Sequence, residues 1–136
     1  MSRRSAKDKG QFPGGFIGIP RMLAEHRDFL NLSTSAKVAL LALINQYKGK
    51  NNGDLSAAHR LLKPWGIKSS TTAQKAIKEL LDANMILRTR EGRFLNPGGR
   101  CALYALTWKP IDECGGKLDV ASTITPPRKL SLERSK

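Results

Sequence analysis

Cysteine is scarce in this chain. The 136 residues hold two, Cys101 and Cys114, with no Cys-x-x-Cys pair, and His26 and His59 stand far from both in sequence. A four-ligand zinc site is therefore not expected, nor is any other metal or cofactor, and a reduced cytosolic chain fits better than a disulfide framework. Acidic residues are also few, 11 Asp and Glu against 24 Lys and Arg, which leaves a net charge of +13 and a pI near 10.3. That sign favours a polyanionic partner: DNA, RNA or an anionic membrane surface. No apolar run approaches the length of a membrane span, and the N-terminus is polar and basic without the apolar core of a secretion signal. Missing too are a phosphate-binding Gly-x-x-x-x-Gly-Lys loop and any local nucleophile motif, so an enzyme is not expected. The expectation is a soluble, cytoplasmic protein.

What is present is unevenly distributed. Residues 48–100 carry eleven Lys and Arg against Asp54, Glu79, Asp82 and Glu91, a local excess of +7. Residues 1–15, with Arg3, Arg4, Lys7, Lys9, Pro13 and Gly14-Gly15, read as a disordered basic arm. The span 16–110 reads as one domain. Phe16 to Ile19 is β-prone and predicts an edge strand, with Pro20 opening a short helix. Ser33 is a good N-cap for a helix that ends near Lys48, and Ala36, Leu40, Leu43 and Tyr47 recur on one face while Leu41 and Ile44 widen it. A stripe this wide predicts the central core helix. Asn51-Asn52-Gly53 is a turn, after which Asp54 or Ser56 caps a short helix through Leu62, stopped by Pro64 and Gly66. Ser69 caps the next helix, over 69–83, and Ala73, Ala76, Ile77, Leu80 and Leu81 form its buried stripe. A strand over 85–90 and a return strand over 101–108 then form a hairpin with its tip near 91–99. Beyond Pro110, Gly115-Gly116, Pro126-Pro127 and scattered charges predict a flexible tail over 111–136.

Two short helices joined by a tight turn, the second presenting polar residues outward, make a helix-turn-helix. The start of the second helix carries Ser70, Thr71, Gln74 and Lys75. Such residues at a helix N-terminus suit base edges in a DNA major groove: Gln pairs with adenine, Lys with guanine oxygens, Ser and Thr with either or with a thymine methyl. Ser69 and the free N–H groups beside it, together with Lys78 one turn on, suit phosphate. The hairpin adds Arg88, Arg90, Arg93 and Arg100, which can follow phosphates or enter a narrow minor groove; protection of a sheet edge is the alternative reading. Phe94 either packs on the domain or wedges at the DNA surface. Arg3 and Arg4 either reach a minor groove or belong to a solubilising terminus. The sheet lacks the paired surface aromatics of common RNA-binding modules.

Ser69 to Ile86 resembles the recognition helix and first wing strand of bacterial winged-helix regulators. The match runs through Gly66-Ile67, Ser69, Thr71-Thr72, Ala76-Ile77-Lys78-Glu79-Leu80 and Met85-Ile86, with Asn84 standing where those proteins usually have Gly. Over about 16–110 the chain is similar to helix-turn-helix proteins of prophages, plasmids and integrative elements, through Phe16-Ile17-Gly18-Ile19-Pro20, the Tyr47 to Leu55 segment and Tyr104-Ala105-Leu106-Thr107-Trp108. The resemblance implies a winged helix-turn-helix fold, mainly α with a small antiparallel sheet. It implies sequence-specific binding of double-stranded DNA, as a transcriptional regulator of a mobile or phage-like element acting as a homodimer on a two-fold site, bacterial and nucleoid-associated when bound. The alternatives are a replication initiation protein on origin repeats and a winged-helix protein–protein adaptor.

Overall fold

The computed structural model of the protein describes residues 12–93 and 100–133. Among these, five α-helices and three strands follow in the order α1 (Arg21–Ala24), α2 (Arg27–Leu30), α3 (Thr34–Gln46), β1 (Leu55–Ser56), α4 (His59–Leu62), α5 (Ser70–Asp82), β2 (Ile86–Arg90) and β3 (Leu103–Leu106). Helices with one small antiparallel sheet were expected, and that much is seen.

The two long helices lie where their caps put them. Ser33 Oγ accepts the Ala36 N–H at 3.1 Å, and Ser69 Oγ accepts the Thr72 N–H at 3.0 Å. Each satisfies one of the N–H groups that a helix start leaves without a partner. Helix α3 buries Ala36, Ala39, Leu40, Ala42, Leu43 and Ile44, which is more than one side. Helix α5 buries the narrower stripe Ala73, Ala76, Ile77 and Leu80 and leaves its other face to water. Asn84 ends it at φ 58°, in the left-handed region that Asn tolerates. Glu79 joins the two helices. Its carboxylate accepts the Ser33 N–H at 2.6 Å and the Ser33 hydroxyl at 2.8 Å, an anion at the positive end of α3.

Strand β3 is central, in the order β1-β3-β2. This corrects the expectation that Leu55 and Ser56 open a helix: they pair with Tyr104 and Leu103, and α4 begins only at His59. The Gln46 amide explains the change. It accepts the Ser56 N–H at 2.8 Å and donates to the Ser56 carbonyl at 2.7 Å, so Ser56 is held extended, and its hydroxyl accepts the N–H of Ala58, the residue before the helix, at 3.2 Å. Asn52, expected only to form a turn, is fully buried. Its Nδ2 donates to the carbonyls of Leu106 (3.0 Å), Lys109 (3.2 Å) and Pro110 (2.9 Å), and its Oδ1 accepts the Leu106 N–H at 2.7 Å. Because β1 is only two residues long, this side chain serves the part of β3 that the strand does not reach.

Three further expectations are corrected. No strand forms at Phe16–Ile19; these residues are exposed, with Phe16 at 68%, and Pro20 is the N-cap of α1 rather than its first residue. A β-prone run becomes a strand only where it meets a free sheet edge, and this one pairs with neither β1 nor β2. The stretch read as a flexible tail packs on the domain through Glu133. Asp119 N–H donates to the Thr89 carbonyl (2.8 Å) and Arg128 N–H to the Thr107 carbonyl (2.8 Å), so Leu103, Ala105 and Thr107 are buried as well as Tyr104, Leu106 and Trp108. The Arg128 guanidinium, 6% exposed, donates to the carbonyls of Ala83 and Asn84 (both 3.1 Å) and to carboxylate oxygens of Asp28 (2.7 Å) and Glu133 (2.9 Å). It closes the C-terminal end of α5, which has too few cationic side chains of its own.

Candidate functional site

Helix α5 and the hairpin meet at an open groove of about 980 Å³. Ser70, Gln74 and Lys78 line its α5 side, and Arg88, Arg93 and Arg100 line its hairpin side. Thr71 and Lys75 lie on the adjoining outward face of α5; all five of these α5 side chains are exposed. Residues far apart in sequence are thus brought to one surface by two features: the cap at Ser69, which fixes where α5 starts, and the turn at Asn84, which sends β2 back beside it. Ser69 itself is occupied, since its hydroxyl also donates to Thr72 Oγ1 at 2.9 Å.

The four hairpin arginines do not act as one set. Register shifts between Arg88 and Arg90, a β-bulge with Thr89 buried at its centre and bonded through Oγ1 to the Gly53 carbonyl at 2.6 Å. The bulge breaks the simple alternation. Arg88 faces the groove, its guanidinium carbon 5.5 Å from the centre of the Tyr104 ring and one nitrogen 3.6 Å from Glu91. Arg90 is not among the groove residues; its Nε and one terminal nitrogen donate to the Cys101 carbonyl at 3.1 and 2.8 Å and tie the hairpin together. Arg100 donates to Asp119 at 3.0 Å and to the Glu91 carbonyl at 3.1 Å. The Glu91 N–H, with the charge of Arg100 adding to it, holds Asp119 below the ordinary carboxylate range. Lys78 donates to Asp82 at 2.8 Å, and this bond raises its pKa. Such exposed, solvent-screened pairs add little to stability, so a phosphate can displace the carboxylates. Arg3, Arg4 and Phe94 lie outside the described residues.

Several residues of this site were not singled out from sequence. Tyr104 and Ala102 line the groove on its hairpin side, and Ala57, Ala58 and His59 line it on the side nearest α4. His59 Nε2 lies 3.1 Å from the Ile67 carbonyl, joining α4 to the turn before α5. Outside the groove lining, Trp65 in that turn is 37% exposed beside the exposed Lys63 and Lys68. A Trp next to two lysines was the available signal for this last group; alanines give none. Cys101 is exposed and Cys114 half-buried, and both thiols are free. Burial pushes the Cys114 thiol up, with Asp54 and Asp112 adding to the effect. Among the described residues no three His, Cys, Asp or Glu side chains are gathered as a metal site, and no helix is long and apolar enough to cross a membrane. Compared with known proteins, the chain gives no significant match to a family model, a curated protein or a solved structure.

Proposed function

We infer that the protein is a winged helix-turn-helix protein that binds double-stranded DNA in a sequence-specific way. The observation that carries this reading is the shared surface of α5 and the hairpin, where the exposed Ser70, Thr71, Gln74 and Lys75 stand beside the arginine-lined groove. The order α3, β1, α4, α5, β2, β3, with β3 between β1 and β2, supports the winged-helix assignment. In this reading α5 enters a major groove and its first two turns meet base edges. Arg88, Arg93, Arg100 and Lys78 hold phosphates, and Ser69 serves by fixing the end of α5. The role is regulation of transcription in a mobile or phage-like element, on the strength of the resemblance of Ser69 to Ile86 to bacterial regulators and of about 16–110 to proteins of such elements.

The test is a selection of bound sequences from random duplexes, followed by Gln74→Ala and Lys75→Ala. The reading predicts that each variant loses about 5- to 100-fold on the selected duplex and little on a scrambled one, as removal of a base contact does. Equal weakening on both duplexes sinks base readout by α5. Footprinting on the element's own DNA then separates roles: a single promoter operator fits regulation, and repeats within an origin fit replication initiation. Sedimentation with and without the duplex tests the homodimer.

A further inference from the structure

The groove between α5 and the hairpin has a lining that phosphate binding alone does not require. Its rim is cationic, but its floor and walls are Ala57, Ala73, Ile77, Leu81, Ala102 and the ring of Tyr104. Ala73, Ile77 and Tyr104 are buried, so they form the floor; Ala57, Leu81 and Ala102 are half-buried and form the walls. A trough that only held phosphates would be lined with donors. This combination matches the two edges of a nucleic-acid strand, one anionic and one of sugar hydrocarbon. A helix in a major groove and a hairpin in the neighbouring minor groove straddle one sugar–phosphate strand. The trough between α5 and the hairpin is where that strand would run.

We propose that this groove seats one strand of the duplex with its sugar edges against the apolar lining, and so selects deoxyribose over ribose; this rests on the DNA-binding reading above. A 2′-hydroxyl pressed against that lining gives up water and gains no partner. Of the polar groups near the floor, Tyr104 Oη accepts from Arg88 at 3.4 Å and His59 Nε2 is paired with the Ile67 carbonyl at 3.1 Å. Ser70 and Gln74 stand at the N-terminal part of α5, away from Leu81. The cationic rim requires the occupant to carry negative charge along its length, which a strand does and an apolar peptide or a second copy of this basic chain does not.

The test uses the full chain and a duplex recovered by selection from random sequences. One deoxynucleotide at a time is replaced by its ribonucleotide, which adds a hydroxyl and no charge. The expected result is binding weaker by roughly 5- to 10-fold at one or two adjacent positions per bound domain, the cost of a buried hydroxyl without a partner, and unchanged elsewhere. Ala102→Leu, which fills a wall of the groove, is expected to weaken the all-deoxy duplex about 10-fold with the same salt slope, because no phosphate contact is lost. Its circular dichroism and melting temperature establish that it is folded; the ribonucleotide scan needs no variant. A flat scan on a duplex that the wild-type chain binds overturns the sugar selection and leaves DNA binding standing. Undiminished duplex binding by folded Ala102→Leu overturns the placement of the strand in the groove. A wild-type chain that binds no duplex overturns the DNA-binding reading itself.

Discussion

Replacing Asn52 by alanine tests the reasoning about what holds the hairpin in place. The side chain is fully buried and makes four hydrogen bonds, with the Leu106 N–H and carbonyl and with the carbonyls of Lys109 and Pro110. Alanine removes all four. A net contribution near 1 kcal/mol for a bond does not simply multiply, because the carbonyls share one amino group, but the Leu106 N–H is left buried without a partner at about 1–3 kcal/mol. The expected loss is therefore about 3–4 kcal/mol, a large fraction of the 5–15 kcal/mol typical of a whole domain. Urea unfolding followed by Trp fluorescence measures it. With a slope near 1.5 kcal/mol/M, the midpoint should fall by about 2–3 M with the slope unchanged. Asn51→Ala is the control. Its side chain makes two bonds, to the Gln46 carbonyl and the Lys48 N–H, and is only half-buried, so about 1 kcal/mol is expected. If Asn52→Ala costs less than about 1 kcal/mol, or no more than Asn51→Ala, the view of Asn52 as a substitute for missing strand length is wrong.

The remaining predictions concern the same framework. Gly53 has φ +122°, and a Cβ there would stand 2.7 Å from Leu118 Cδ1, so Gly53→Ala should destabilise by about 1–3 kcal/mol; thermal melting that shows no loss would contradict this packing of the C-terminal stretch. Glu133 is held at about 2 by the Arg128 guanidinium first and by His26 after it, against an ordinary value of 4.5. A carboxylate depressed in this way stabilises the fold fully above pH 4.5 and loses its effect as pH falls to about 2. Glu133→Gln should therefore lower the melting temperature at pH 6, and the difference from wild type should shrink as pH falls below 4.5; a constant difference would refute the coupling. The side chain is 34% exposed, so solvent screening keeps the contribution to about 1 kcal/mol.

How much of this was legible in the sequence follows from the range of the interactions. Helices α3 and α5 announce themselves because cap and periodicity are local: Ser33 and Ser69 bond three residues ahead, and the buried stripes repeat at the helical period. Strand β1 escapes because two residues cannot show alternation, and what holds Ser56 extended is a glutamine ten residues back. The packing of 111–133 escapes because it depends on single long-range bonds, such as Arg128 to Ala83, with no repeating pattern. The Phe16–Ile19 strand fails for the opposite reason, since propensity was present but the run pairs with neither edge of the sheet. At the site, the polar face of α5 could be read directly. The division of the arginines could not, because it depends on a bulge at Thr89 and on Asp119, a residue placed in the supposed tail. Of the alanines lining the groove, Ala73 shows through the helical period, whereas Ala57 and Ala102 carry no sequence signal.

The central claim is that a polyanionic duplex is held by the surface of α5 and the hairpin. Affinity for a duplex measured at increasing salt tests it most directly. Counterion release predicts that log affinity falls linearly with log salt, losing on the order of 100-fold or more between about 50 and 200 mM for a domain with several phosphate contacts. Arg93→Ala should reduce the slope by about 1 while leaving the fold intact. No measurable duplex binding, or an affinity that does not change with salt, would contradict the account.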